Sequence, residues 1–114
     1  YGEGMGHLVA AVRANYPITA IVANNQLYSL TTGQTSPTTP KNSKTKSTPL
    51  GSPSVPVNPV SLLQTINPAV SAGSLAGTNL PAIVNFLKKS FKSSGFSLVD
   101  LQQICLTFGK QLKT

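Results

Sequence analysis

Acidic residues are almost missing: Glu3 and Asp100 are the only carboxylate side chains in 114 residues. A catalytic carboxylate pair within this chain is therefore nearly excluded, and so is a carboxylate-rich metal cage. Cysteine is rarer still. Its single copy, Cys105, excludes an internal disulfide and any zinc site made from the chain's own thiols. It also argues against a disulfide-stapled secreted module. Tryptophan is absent, and charged residues make up only 10% of the chain. No apolar run approaches the ~20 residues of a membrane span. No charged segment followed by an apolar stretch opens the chain, so no signal peptide is visible. At 114 residues the chain is shorter than a domain of about 150, which excludes two packed domains.

What is present is mostly apolar, hydroxylic or basic. With its 9 glycines counted, the apolar fraction is ordinary for a globular domain. The net charge is +7. The sequence begins with Tyr1 and enters a glycine-rich run at Gly2, Gly4 and Gly6. That opening reads as the middle of something, a piece whose beginning lies elsewhere.

Leu8, Ala11 and Val12 recur at helical spacing, which predicts a helix over 7–14 stopped by Asn15-Tyr16-Pro17. Residues 18–23 are short, β-branched and bounded by Pro17 and Asn24-Asn25, and read as a strand buried on both faces. Composition then shifts: from Thr31 to Pro59, 18 of 29 residues are Ser, Thr or Pro. The six prolines at 37, 40, 49, 53, 56 and 59 deny this stretch any regular element. A loop of this length is functional or disordered. Asn58-Pro59 has the form of an N-cap followed by proline at the first helical position, opening a helix over 60–66. Residues 69–76 are a candidate strand. Thr78 or Asn79 caps a further helix whose apolar stripe is Leu80, Ile83, Val84, Leu87 and Phe91. Lys88, Lys89 and Lys92 favour its C-terminal dipole, and Gly95 is the expected residue past its end. Residues 96–101 read as a last strand. The order α-β-loop-α-β-α-β predicts an α/β domain with a mostly parallel sheet.

Three places are candidates for chemistry. The segment Asn24-Asn25-Gln26-Leu27-Tyr28-Ser29-Leu30-Thr31-Thr32-Gly33-Gln34 leaves the carboxyl end of a strand, where open α/β sheets bind ligands. Carboxamide and carbonyl oxygens there suit a hard cation such as Mg²⁺, and hydroxyls and N–H groups from Ser29 to Gly33 suit a diphosphate. The plain alternative is an Asn-rich turn. Cys105 follows the last strand and is either a ligand or a small buried hydrophobe. Lys41, Lys44 and Lys46 form a basic cluster open to phosphate, nucleic acid or an acidic surface, or simply to solvent. His7, the one histidine, has no Ser or Cys neighbour in sequence and fits helix packing or capping.

The run Ala23-Asn24-Asn25-Gln26-Leu27-Tyr28-Ser29-Leu30-Thr31-Thr32-Gly33-Gln34-Thr35-Ser36-Pro37-Thr38 resembles the thiamine-diphosphate loop of β subunits of 2-oxoacid:ferredoxin oxidoreductases. The likeness continues through 40–49, Asn58-Pro59, 95–100 and Cys105-Leu106-Thr107-Phe108, and takes in Gly6-His7. The resemblance implies that residues 1–114 are the C-terminal portion of a single thiamine-diphosphate-binding domain, with 31–59 a long loop inside it. It implies thiamine diphosphate, Mg²⁺ and a [4Fe–4S] cluster as cofactors. The Asn25 side chain and the Leu27 carbonyl match the Mg²⁺ ligands. Ser29, Thr31 and Gly33 fall in the cofactor-binding segment, and Cys105 matches the last cluster cysteine. The family's Gly-Asp-Gly motif and its other cysteines have no counterpart in the sequence.

The implied activity is coenzyme A-dependent oxidative decarboxylation of a 2-oxoacid, such as pyruvate or 2-oxoglutarate, with ferredoxin as electron acceptor. The implied partner is an α subunit, which supplies the catalytic Glu, so no catalytic residue is expected in this chain. A cytoplasmic location is implied, with neither membrane nor nucleic acid as partner. Two other readings stand beside it: a basic module binding nucleic acid or an acidic partner, and an inactive remnant of the family. The Thr35–Pro59 loop, poor in apolar surface, is expected to order only in the assembled enzyme.

Overall fold

Glycines at 2, 4 and 6 give way to helix formers, and helix α1 runs Met5–Ala14 in this computed structural model, which describes residues 1–112. Asn15 ends α1 in the left-handed region (φ 56°), its N–H donating to the Ala11 and Val12 carbonyls. Its side-chain Oδ1 accepts from the Phe96 N–H at 3.0 Å, so the stop signal of α1 also anchors the start of the last strand.

Strands β1 (Thr19–Asn24), β4 (Ser71–Ala76) and β5 (Ser97–Gln102) form a parallel sheet in the order β1-β5-β4. All their carboxyl ends lie on one edge, because the register sets Asn24 and Ala76 level with Gln102. A two-stranded hairpin of β2 (Leu27–Tyr28) and β3 (Gln34–Thr35) stands at that edge. Helix α2 (Pro59–Ile66) opens as predicted: the Asn58 side chain accepts from the Ser61 N–H, with proline in the first turn. Helix α3 (Leu80–Lys92) is capped by Asn79, which accepts from the Ala82 N–H. A short 3₁₀ turn, Gly109–Gln111, closes the described chain.

The core lies on the face of the sheet that α1 and α2 cover. Val12, Leu63, Val70, Phe96 and Leu98 are buried there, with Ala20, Val22 and Ala72 packed around them. Alternation along the strands sends Val99 and Gly73 to the opposite face, where the Phe86 ring of α3 presses on Gly73. Removing a core leucine such as Leu98 would cost about 2–5 kcal/mol.

Four expectations change. The first strand is not buried on both faces: Ile21 is 53% exposed, since α3 packs on β4 and β5 and β1 pairs on one side only among the described residues. Helix α3 buries a different arc: Ser90 is buried and Ile83, Phe86 and Leu87 partly so, while Leu80, Val84 and Phe91 stay exposed. Gly95 is not a left-handed cap; it gives room to the Asn15 side chain, and Ser93 caps the helix. His7 is exposed, and no side chain caps the N-terminus of its helix.

The 31–59 segment departs most from its composition. Apart from β3 and the Pro59 start of α2 it has no regular element, as its prolines require. Yet Thr38, Thr39, Ser43, Thr45 and Ser52 are buried. Backbone bonds cross the loop from Asn42 N–H to the Ser52 carbonyl (2.8 Å), Ser52 N–H to Ser43 (2.9 Å) and Val57 N–H to Pro37 (2.8 Å). Thr35, Thr45 and Thr48 close a triangle of hydroxyls at 2.6–2.8 Å. Hydrogen bonds rather than apolar burial hold it, which a count of hydrophobic residues does not register.

Candidate cofactor-binding site

The site is built where β1 ends. Asn24 is 7% exposed and its side chain is bonded at both ends. Its Nδ2 donates to Asp100 Oδ1 at 3.2 Å. Its Oδ1 accepts from the Gln26 N–H (3.0 Å) and the Thr38 hydroxyl (2.9 Å). Gln26 takes a left-handed backbone (φ 65°), uncommon for a residue with a side chain. Its carbonyl accepts from Thr39 Oγ1 at 2.6 Å, so the turn is held from both sides.

Asn25 and Leu27 come together on this turn. Asn25 Oδ1 accepts from the Leu27 N–H at 3.2 Å and its Nδ2 donates to Ser29 Oγ at 2.9 Å. Both residues line a small cavity of about 110 Å³ with Tyr1, Gly2, Tyr28, Ser36 and Thr38. Among the described residues no cationic side chain lines this cavity, and its donors are neutral oxygens of the kind a hard divalent ion selects. A carboxamide oxygen keeps a second lone pair when it accepts one N–H. The residues therefore fit Mg²⁺ in type. They would supply at most two oxygens to such an ion.

The expected diphosphate segment is only partly suited to that work. The Thr32 and Gly33 N–H groups already donate to the Ser29 and Tyr28 carbonyls at 3.1 and 2.9 Å, closing the hairpin loop. Gly33 acts through shape instead. Its φ of 98° favours glycine, and a Cβ there would lie 2.9 Å from the Phe108 ring. Ser29 and Thr31 keep hydroxyls at the loop. Thr31 Oγ1 bonds Gln34 at 2.6 Å, and Lys46 Nζ donates to Thr32 Oγ1 at 2.8 Å.

Phe108 ties the Cys105 segment to this loop. Gln103, just past β5, donates its N–H to the Asn24 carbonyl at 2.9 Å, which puts Cys105 on the same sheet edge. The thiol is half-buried and accepts from the Phe108 N–H at 3.4 Å. Amide bonds to sulfur of this kind accompany cluster thiolates. No three His, Cys, Asp or Glu side chains group together among the described residues. Cys105 thus fits an iron–sulfur cluster as one ligand whose companions lie elsewhere. Lys41, Lys44 and Lys46 are all exposed.

A larger cleft of about 500 Å³ opens beside the small cavity, sharing Asn24 and Thr38 with it. The N-terminus of α2 lines it from Asn58 to Ser61, with Gln26, Ser74, Gln102 and Asp100. Asp100 is the residue that sequence reasoning passed over. It is 1% exposed. Its carboxylate accepts from Tyr1 OH (2.6 Å), Asn24, Ser74 Oγ (3.1 Å) and Gln102 Nε2. The signal was present: one of the two acids in the chain stands inside a strand, between Leu98-Val99 and Leu101. Burial, and then the carboxylate beside it, push the Tyr1 phenol well above its ordinary value, so it stays protonated and donates.

A parallel sheet whose carboxyl edge carries an Asn-held turn and a thiol defines a cofactor-binding α/β domain. Residues 1–101 match the thiamine pyrophosphate enzyme C-terminal TPP-binding domain, and the chain belongs to that family. Within it, the chain is similar to β subunits of 2-oxoacid:ferredoxin oxidoreductases. It is 36% identical over 107 residues to the 2-oxoacid:ferredoxin oxidoreductase subunit beta of Saccharolobus solfataricus, covering 94% of this chain and 35% of that protein. It is 37% identical over 105 residues to the 2-oxoglutarate oxidoreductase subunit KorB of Mycobacterium tuberculosis, covering 92% and 28%. The fold superposes with a TM-score of 0.88 and 30% identity on a 2-oxoglutarate:ferredoxin oxidoreductase from Magnetococcus marinus, solved with 2-oxoglutarate, coenzyme A and succinyl-CoA bound. That match covers 94% of this chain and 36% of the other. The chain thus spans about a third of the length of the relatives it matches. No helix among the described residues is long and apolar enough to cross a membrane.

Proposed function

We propose that this chain is the cofactor-holding part of a 2-oxoacid:ferredoxin oxidoreductase β subunit. The observation that carries the reading is the Asn24–Leu27 turn. It stands at the carboxyl edge of the sheet, in a chain of the thiamine pyrophosphate family, and faces a cavity of neutral oxygen donors. In this reading the Asn25 carboxamide and Leu27 carbonyl hold Mg²⁺, and Ser29 and Thr31 offer hydroxyls toward the diphosphate. Gly33 leaves the room that Phe108 fills. Cys105 is one ligand of a [4Fe–4S] cluster, and the α partner completes the site with its Glu. When bound, thiamine diphosphate supplies the electron sink for decarboxylation. This chain's residues orient the diphosphate and, through Cys105, set an electron acceptor on the same sheet edge. The overall reaction is oxidative decarboxylation of a 2-oxoacid, with acyl transfer to coenzyme A and reduction of ferredoxin in the cytoplasm.

The test is thiamine diphosphate binding, measured by calorimetry on the β subunit assembled with its α partner, with and without Mg²⁺. Mg²⁺-dependent binding is expected. Asn25→Ala should weaken it by about tenfold or more, the scale of one lost interaction of ~1.4 kcal/mol, and leave the melting temperature nearly unchanged. Equal affinity in the variant would refute the ligand assignment.

A further inference from the structure

The turn that carries Asn25 and Leu27 does not stand by itself. Its conformation depends on Asn24, and Asn24 depends on a residue 76 positions away. We infer that Asp100 is a positioning residue for the metal-binding turn, acting through Asn24. This rests on the proposed function.

Asp100 is as buried as the core leucines, yet its four bonding partners are all neutral. Oδ1 accepts from Tyr1 and Asn24, and Oδ2 from Ser74 and Gln102. A carboxylate is an acceptor at both oxygens. It therefore admits only the Nδ2 end of the Asn24 carboxamide. The Oδ1 end must then face the other way, toward the Gln26 N–H and the Thr38 hydroxyl, where it is found. Those bonds, with Thr39 on the Gln26 carbonyl, hold Gln26 at φ 65°. Asn25 and Leu27 flank Gln26 directly, so its backbone sets where their oxygens point.

An asparagine at position 100 would break this logic. It has the same shape but presents an NH₂ group to one of the two donor pairs. Facing Tyr1 and Asn24, it would release the Asn24 amide to turn over. Facing Ser74 and Gln102, it would set an NH₂ against the Gln102 amide, which must turn over or lose its bond, while the Ser74 hydroxyl can accept. Second-shell changes of this kind weaken metal binding by about 10–100-fold.

The experiment titrates thiamine diphosphate, at fixed Mg²⁺, into the assembled enzyme by calorimetry. Melting temperature is recorded alongside, and KM for the 2-oxoacid and kcat are taken at saturating cofactor. Asp100→Asn is expected to weaken binding by about tenfold or more. At saturating cofactor, KM and kcat should stay near wild type, because Asp100 is not proposed to touch substrate. Thr38→Val removes one bond to Asn24 without altering the carboxylate. It should weaken binding in the same direction by less, and it carries the test if Asp100→Asn does not assemble. Wild-type protein that binds no thiamine diphosphate with Mg²⁺ would sink the proposed function itself. Wild-type binding with unchanged affinity in the variants, even with a lowered melting temperature, would leave that function standing and overturn this inference alone.

Discussion

At the scale of single residues, Cys105 and Tyr1 make separable predictions. Cys105 sits on a sheet edge shared with the Asn24–Leu27 turn, half-buried, its sulfur already accepting one amide N–H. In the complete β subunit, Cys105→Ser should abolish or destabilise the iron–sulfur absorption band and ferredoxin reduction. Mg²⁺-dependent thiamine diphosphate binding should survive, because the proposed cation ligands are on another segment. A full-strength cluster spectrum in the variant would remove Cys105 from the ligand set. Tyr1 bears on pH. Its phenol is held above the usual value near 10, first by burial and then by Asp100. Above that pH the unfolded chain releases the proton and the folded chain keeps it. The folded state then binds more protons, so stability falls as pH rises. Tyr1→Phe should be less stable than wild type at pH 8, and the gap should narrow as pH climbs past about 10. Urea unfolding at several alkaline pH values checks this; a gap that does not narrow would mean the fold does not raise the Tyr1 phenol above its ordinary value.

Among the elements, α3 shows what periodicity leaves open. Its sequence carries two apolar arcs, one through Leu80, Val84, Leu87 and Phe91 and one through Ile83, Phe86 and Leu87. Both satisfy a 3.6-residue repeat. The sheet chooses between them: Gly73 on β4 leaves a hollow, and the Phe86 ring occupies it. A Cβ at position 73 would lie 2.6 Å from that ring. Gly73→Ala should therefore displace α3 and lower stability by about 1–3 kcal/mol, the usual cost of overpacking. Chemical denaturation measures it. A neutral result would show that Phe86 has another place to go. The cap residues were easier to read. Asn58, Asn79 and Asn15 do in the structure what their positions indicate, because a cap is a bond across three or four residues and needs no distant partner.

For the whole molecule, the long loop is the informative part. Ser, Thr and Pro content gives it little apolar surface, which favours disorder until assembly. The structure instead buries its hydroxyls and crosses it with backbone bonds. The amides of Asn42, Ser52 and Val57 are expected to be protected from hydrogen exchange in this chain, well beyond the exposed Lys44 and Ser54. Exchange of all of them at unfolded-chain rates would restore the composition-based view. The chain's span, about a third of its relatives, bears on activity in the same way. One thiol and two candidate Mg²⁺ donors are part of a site. On the proposed function, ferredoxin reduction is expected from a complete β subunit with its partner and not from residues 1–114 alone.

The sequence by itself determined the helices with their Asn15, Asn58 and Asn79 caps, the alternation of elements that makes a parallel sheet, and the Asn-bearing segment after the first strand. These rest on neighbours a few residues apart, or on a motif long enough to be specific. Only the tertiary structure decided that β5 is the central strand, that α3 buries the Phe86 arc, and that the hydroxyl-rich loop packs on itself. It alone joined Asp100 to Asn24 across 76 residues and set Phe108 on Gly33. The reason is common to all of these. A buried polar group takes whatever donor the fold brings to it, and no local pattern records which distant residue that will be.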